Sequence, residues 1–182
     1  MAKPDAEFKK QIKLLSKNVL EEMVIRAATR DKDIHDFLLI NYLDKEFGEK
    51  DLFEEAITDI QLLFTKNYKG SSEELRLASM IDACVKRINR FQKIRKNKNF
   101  EADLILMVLD EIFGYSNKLF GTCFTRYDYK VGILLKRLIT LVASKLHPDF
   151  KIEYSNKINQ YLNILHNTSD HLNSIYALPK EI

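Results

Sequence analysis

The chain has 182 residues with a formal net charge of +3, and 46% of its residues are hydrophobic and 30% charged. This composition is typical of a folded globular protein and argues against a disordered chain. Because no stretch approaches the roughly 18 consecutive apolar residues of a membrane helix, and the N-terminus lacks the apolar centre of a secretory signal, we expect a cytoplasmic protein that does not enter a membrane.

The N-terminal part contains four segments with apolar residues at helical spacing. The first helix is predicted at about residues 5–15, and Ser16 is the predicted N-cap of the second. The third ends before Gly48, which we interpret as a C-terminal stop, and the fourth covers about residues 49–68. The second helix should turn one apolar stripe inward, formed by Val19, Leu20, Met23, Val24 and Ala27.

Two more helices follow. Ser71 and Glu74 have the spacing of a capping box, so they predict the start of a fifth helix that continues to about residue 95. The sixth, at about residues 101–113, is apolar on nearly all sides. Such a pattern indicates a helix that its neighbours cover on several faces.

The last part of the chain predicts two more helices. Residues 114–124 contain two glycines and an asparagine and therefore indicate a break. Thr125 together with Asp128 predicts the cap of a seventh helix. An eighth helix is predicted at about residues 150–176, after the proline that ends the seventh.

The expected fold class is all-α. No alternating apolar pattern and no Asn-Gly or Asp-Gly turn predicts a strand. About eight helices in antiparallel pairs would form either an irregular helical bundle or a short α-solenoid-like array. We expect a single all-helical domain over residues 1–182, in which residues 1–69 and 70–182 could form an N-terminal and a C-terminal lobe.

Charge is distributed unevenly along the chain. Residues 1–82 contain 13 basic and 17 acidic side chains, whereas residues 83–182 contain 16 basic and 9 acidic ones. Such a division indicates either a surface for nucleic acid or two parts that attract one another. The basic excess is most concentrated at residues 86–98.

This basic run predicts a cationic helix face. On a helical wheel Lys86, Arg90 and Lys93 fall within about 60° of one another, and Phe91 points the opposite way. Such a face could meet a phosphate backbone, an anionic lipid surface or an acidic protein. The alternative is a solvated face whose cations suit the C-terminal end of the helix dipole, which the near-neutral charge of the chain favours. The candidate anion or nucleic-acid surface comprises Lys86, Arg87, Arg90, Lys93 and Lys96.

Residues that could carry chemistry are few and scattered. Cys84 and Cys123 are the only cysteines and lack a CxxC spacing, so we interpret both as buried free thiols. No glycine-rich phosphate-binding motif is present. We expect a protein that is not an enzyme and has no metal or cofactor, because no nucleophile or further ligand pairs with the four residues from which a site could be assembled, His35, His166, Asp170 and His171.

The segment FKKQIKLLSKNVLEEMVIRAATRDKDIHDFLL, at residues 8–39, resembles the start of an uncharacterised all-helical bacterial family, a domain of unknown function. The shared features are a short basic helix at residues 8–15, a Leu-Ser hinge at Leu15 and Ser16, and an amphipathic helix at residues 19–28. The later segments ASMIDACVKRINRF and DYKVGILLKRLITL are similar in style. The resemblance implies an all-helical fold of HEAT-like or TPR-like character and supplies no catalytic residue.

The sequence features are compatible with two functions. The first is a non-catalytic protein–protein interaction or scaffold module, whose partner is another protein or a second copy of the chain. The second is a nucleic-acid-associated accessory protein that uses the basic helix face at residues 86–98. They differ in salt dependence, because binding to phosphates weakens steeply as salt is added.

Overall fold

The computed structural model describes residues 4–44, 48–115 and 117–182, and within these ranges the chain forms helices and no strand. The predicted all-α fold class is therefore confirmed. The chain divides into two compact units, a smaller one at residues 1–48 and a larger one at residues 49–182.

Three short helices build the smaller unit. Asp5 caps the first, since its carboxylate accepts a hydrogen bond of 2.7 Å from the amide of Phe8. Ser16 is the N-cap of the second as predicted, although its side chain makes no capping hydrogen bond. Asp31 caps the third through the amide of Asp33 at 2.8 Å. The elements are α1 (Ala6–Lys13), α2 (Lys17–Arg30), α3 (Lys32–Leu38) and a π-helical segment (Leu39–Leu43).

The apolar stripe predicted to face inward on α2 is not buried. No residue of α2 is buried, and Val19, Met23 and Val24 are 43%, 46% and 47% exposed. Within the smaller unit α2 packs against α3, which has 7 residues against the 14 of α2. A partner of half the length covers only part of the stripe, so Leu20 and Ala27 are half-buried and the rest stays exposed.

The prediction that Gly48 stops the third helix is wrong, because Gly48 begins α4 (Gly48–Thr65). A β-carbon at this position would lie 2.9 Å from Cγ1 of Ile40, so the close approach of a buried side chain explains the glycine. The residues at 45–47, before Gly48, lie outside the described ranges.

The larger unit is a helical bundle. Its helix α7 packs against α5, α6, α8 and α9. Helices of this unit therefore pack against one another on several sides, which is consistent with a bundle. The expected lobe boundary, between residues 69 and 70, falls inside this unit, and the division of one domain into lobes at residues 1–69 and 70–182 stays a prediction. Besides α4 and a 3₁₀ turn at Asn117–Leu119, its helices are α5 (Glu73–Ile94), α6 (Lys98–Tyr115), α7 (Arg126–Ser144), α8 (Pro148–Ser169) and α9 (Asn173–Tyr176).

Ion pairs and hydrogen bonds fix the directions of α5 and α7. Lys130 Nζ, near the start of α7, lies 2.6 Å from Asp82 Oδ1 near the middle of α5. One to two turns further on, Arg137 Nη1 donates to Asn89 Oδ1 at 2.8 Å. The two helices therefore run in the same direction, and α6 returns between them.

Helix α8 is attached to α6 through buried tyrosines. The hydroxyl of Tyr154 donates to Asp103, and that of Tyr161 donates to Asp110 seven residues later. Lys157 adds an ion pair of 2.7 Å with Asp110. Burial first, and then these carboxylates, raise the pKa of both tyrosines above the ordinary value of 10.0.

Aromatic clusters close the core at both ends. Phe53 of α4 stacks on Phe100 with ring centroids 4.2 Å apart, and Phe91 meets both rings edge-on. Phe113 stacks on Tyr161 at 4.2 Å. The predicted burial of the sixth helix is confirmed by the apolar residues that it contributes to the core, among them Leu104, Ile105, Val108, Leu109 and Ile112.

Two predicted caps are shifted or replaced. The N-cap of α5 is Ser72 rather than Ser71, and its hydroxyl accepts from the Leu75 amide at 3.3 Å. The side chain of Thr125 makes no capping hydrogen bond. Asp128, predicted to complete that cap, instead accepts hydrogen bonds from Gly121 and Ser169.

Asp128 holds the loop before α7 against the end of α8. Its carboxylate is 1% exposed and accepts from the Gly121 amide at 2.8 Å and from Ser169 Oγ at 2.5 Å. Gly121 has a φ of +75°, and a β-carbon there would lie 2.6 Å from the carbonyl oxygen of Thr168. The predicted eighth helix thus ends at this contact, at Ser169, and α9 begins after a short break.

Candidate functional site

The predicted basic face lies on the outside of α5. Ile88 and Phe91 on the opposite side of the helix are fully buried, as the helical wheel predicts. Whether the face binds an anion stays a prediction. Its exposed or half-exposed members are Lys86, Arg90, Lys93 and Lys96.

Arg87 does not belong to this face, which corrects the sequence-based assignment. Its side chain is only 8% exposed, and its Nε lies 2.5 Å from Asp59 Oδ2 on α4. One residue rotates a helix by 100°, which turns Arg87 away from Lys86 and toward α4. Its two terminal nitrogens are buried without a hydrogen-bond partner among the described residues.

The C-terminal end of the basic run is occupied by contacts within the larger unit. Arg95 Nε lies 2.7 Å from Glu49 Oε2, and Asn97 Nδ2 donates to the other oxygen of the same carboxylate at 2.5 Å. Lys98 lies 2.5 Å from Glu101. These side chains join α4, α5 and α6, so they contribute less free charge to the surface than the sequence indicates.

A second cationic surface, which the sequence analysis missed, lies where α6 meets α7. It is a shallow groove of about 350 Å³, called here the α6–α7 groove. The spacing of Ile133, Lys136 and Thr140 places them on one face of α7, which was visible in the sequence. The approach of Lys98 from α6 was not, because it depends on tertiary packing. The lining residues are Lys98, Ile133, Lys136, Arg137, Thr140, Leu141 and Lys145.

One buried carboxylate organises two of these cations. Glu101 is 4% exposed, and its Oε1 accepts from Arg137 Nη2 at 2.6 Å and from Nε at 2.9 Å. Its Oε2 pairs with Lys98. By contrast, Lys136 and Lys145 are exposed and form no ion pair within the part of the chain that the structure describes.

The smaller unit exposes an apolar groove on α2, called here the α2 groove. It measures about 390 Å³ and is lined by Lys17, Leu20, Glu21, Val24 and Ile25. Ile25 is 66% exposed, and Lys17 and Glu21 form an exposed ion pair of 3.5 Å at the side. Further exposed apolar side chains of this unit are Phe8, Leu14, Ile34, Phe37, Tyr42 and Leu43.

The histidines do not form a metal site with their neighbours. His35 pairs with the adjacent Asp36 at 3.1 Å. His166 Nδ1 lies 2.5 Å from Asp170 Oδ1, and this hydrogen bond holds the pKa of the carboxyl below its ordinary value. No group of three or more His, Cys, Asp or Glu side chains within residues 4–44, 48–115 and 117–182 could hold a metal ion.

The two cysteines differ from each other. Cys84 is fully buried, and burial raises the pKa of its thiol to about 12. Cys123 is exposed, so the prediction of two buried thiols is wrong for this residue. In its loop the buried side chain is that of Phe120, which packs on Tyr127 with ring centroids 5.1 Å apart.

Comparisons with family models, curated proteins and solved structures find no match for this chain. The resemblance to an uncharacterised helical family stays a prediction. In the described ranges no helix is both long enough and apolar enough to cross a membrane.

Proposed function

We propose that the chain is a non-catalytic protein–protein interaction module and that its α2 groove is the binding surface. The observation that carries the proposal is the uncovered apolar stripe of α2, a 14-residue helix without a buried residue. Apolar surface of this kind gains about 25 cal/mol for each Å² that a partner removes from water. The free thiols at Cys84 and Cys123 support a reducing cytoplasm as its compartment.

The chemistry of the groove favours a helical partner. Leu20, Val24 and Ile25 offer an apolar strip along one helix, and Lys17 and Glu21 add one charge of each sign beside it. An amphipathic helix places apolar side chains three and four residues apart along such a strip. The partner is another protein or a second copy of the chain.

The test combines affinity capture from lysate with light scattering of the purified full chain. The variant carries Val24→Asp and Ile25→Asp, which place charges in the groove. The matched control is Ile152→Asp, because Ile152 is 77% exposed and lies on α8. Nuclease treatment of the lysate removes proteins that nucleic acid bridges.

Proteins retained by the native chain and by the control but lost with the double variant support the proposal. The proposal is also supported if the native chain and the control are dimers and the double variant is a monomer. Since none of the three substituted residues is buried, both variants should unfold at the native temperature. The same captured proteins and the same mass for all three chains would refute it.

A nucleic-acid-associated role is the second candidate. It is favoured by Lys86 and Lys93 on α5 and by Lys96 directly after it, which are exposed and form no ion pair with any described residue. Binding of an oligonucleotide should then weaken steeply with salt and be lost with Lys86→Glu and Lys93→Glu together. The control with equal charge change is Lys118→Glu with Lys151→Glu, at two exposed lysines outside α5. If the native chain does not bind the oligonucleotide at low salt, the nucleic-acid-associated role is refuted.

A further inference from the structure

We propose that the α6–α7 groove binds an acidic amphipathic helix from a protein partner. The residues that form it differ from those of the α2 groove, so this inference stands independently of the proposed function. It depends on the floor of the groove, on the charges around it and on the way Arg137 is held.

The floor of the groove is apolar and accessible. Ile133 is 45% exposed although it lies in the middle of α7, a helix whose other aliphatic residues are mostly buried. Leu141, two turns further along, lies at the base. Apolar side chains spaced three or four apart on a partner helix could cover this floor and remove it from water.

The charges around the floor are predominantly positive. Four of the seven lining residues are cations, Lys98, Lys136, Arg137 and Lys145, and Glu101 pairs with only the first and third of them. Because Glu101 binds Lys98 and Arg137, the charge available to a ligand is concentrated on Lys136 and Lys145. Carboxylates on a partner would meet these two ammonium groups at the rim, where electrostatic complementarity determines the choice of partner and the rate of association.

Arg137 serves as a fixed wall rather than as the anchor. Its Nε and Nη2 both donate to Glu101, and its Nη1 donates to Asn89 on α5. A guanidinium with these three nitrogens engaged keeps its orientation when a ligand arrives. The groove therefore has a pre-organised wall, and a partner need not order that side chain on binding.

The lining favours a peptide over a nucleic acid. Proteins that hold single strands stack bases on aromatic side chains, and none of the seven residues that line the groove is aromatic. A phosphate backbone alone would use the lysines and leave Ile133 exposed. An acidic amphipathic helix uses the cations and the apolar floor together.

The test measures fluorescence anisotropy of labelled helical peptides with the full chain. The probe carries leucines three and four residues apart and glutamates on the flanks of that stripe. One control peptide has the same composition in scrambled order, and a second replaces glutamate by lysine. A labelled single-stranded oligonucleotide is measured alongside them.

The variants separate charge from apolar contact. Lys136→Glu with Lys145→Glu removes the rim, and Ile133→Ser removes part of the floor. Lys118→Glu with Lys151→Glu is the matched control for the rim, and Ile152→Ser is the matched control for the floor; these exposed residues do not line the groove. All substituted side chains are exposed, so unfolding curves should stay close to those of the native chain.

We expect the probe to bind at least about tenfold more tightly than the scrambled peptide. The charge reversals should weaken binding about tenfold or more, and Ile133→Ser about threefold to tenfold. The lysine peptide should not bind, and the control variants should match the native chain. Equal binding of probe and scrambled peptide, tighter binding of the oligonucleotide that is lost with the same variants, or no binding of the probe at low salt would each overturn the proposal.

Discussion

Glu101 of α6 and Arg137 of α7 form an ion pair of 2.6 Å between two helices at the centre of the larger bundle. The glutamate side chain is 5% exposed, and the same carboxylate pairs with Lys98 at 2.5 Å. Water scarcely reaches this carboxylate. Removing the carboxylate would therefore leave Lys98 and Arg137 beside the core without a counter-charge. The pair therefore matters both for stability and for the shape of the α6–α7 groove.

Glu101→Ala should lower the free energy of unfolding by about 2–3 kcal/mol, because it removes one partner of a mostly buried ion pair. Glu101→Gln should cost less, since the amide oxygen still accepts hydrogen bonds from Arg137. Urea unfolding followed by circular dichroism measures both changes. Glu153→Ala, at an exposed glutamate of α8, is the control and should stay within about 0.5 kcal/mol of the native chain. A loss below about 1 kcal/mol for Glu101→Ala would contradict this interpretation.

The ion pair between the buried Arg87 and the partly exposed Asp59 should respond asymmetrically to substitution. Asp59→Ala leaves the guanidinium buried without its carboxylate and should cost about 1–2 kcal/mol, a value reduced because Asp59 is 38% exposed. Arg87→Met should change stability by less than about 1 kcal/mol, because an apolar side chain of similar length replaces donors that already lack partners. Chemical denaturation of both variants decides the order, and a larger loss for Arg87→Met would contradict it.

The sequence predicts the positions of the helices better than it predicts which helices pack against one another. Helical periodicity locates the core positions of α5 and α6, because the apolar spacing of residues such as Ile88 and Leu104 depends on helix geometry alone. The burial of Arg87 could not be predicted in the same way. A helical wheel shows which side chains of α5 point in different directions. Only the position of α4 determines which side of α5 it covers.

The same limit explains the two candidate grooves. The stripe of α2 was expected to be buried. Val24 is exposed because α3, which packs against α2, is too short to cover the whole stripe. The α6–α7 groove requires Lys98 and Lys136 to lie together although they are far apart in the sequence. Charge counting along the chain located the basic run of α5 but could not separate ion-paired cations from accessible ones.

The two thiols should react at different rates. In the native chain a thiol reagent such as 5,5′-dithiobis(2-nitrobenzoate) should modify Cys123 rapidly, because it is exposed. Cys84 should react only as the larger unit opens, since it is fully buried. Absorbance should therefore show a fast and a slow phase, and Cys123→Ser should remove the fast one. Rapid modification of both thiols in the native chain would be inconsistent with the packing of α5.

Alkaline pH should destabilise the larger unit. The pKa of Cys84 is raised from 9.0 to about 12, and the pKa values of Tyr154 and Tyr161 are raised above 10.0. A raised folded-state pKa means that the unfolded chain loses the proton first. The associated stability is thus complete below pH 9 and falls progressively as the pH rises from 9 toward 12. Urea unfolding at a series of pH values measures the slope, and Cys84→Ala should flatten its first part.

Substitutions at two glycines should change stability in opposite directions. Gly121→Ala should cost about 2–3 kcal/mol, because φ is +75° and the new β-carbon would lie 2.6 Å from the Thr168 carbonyl oxygen, at the contact that Asp128 secures. Gly114→Ala should instead stabilise by up to about 1 kcal/mol, since Gly114 lies in α6 with no atom within 4 Å of the added carbon and alanine favours the helix. Thermal unfolding of the two variants provides the comparison. If both substitutions lower the melting temperature equally, the loop before α7 does not have the conformation described for Gly121.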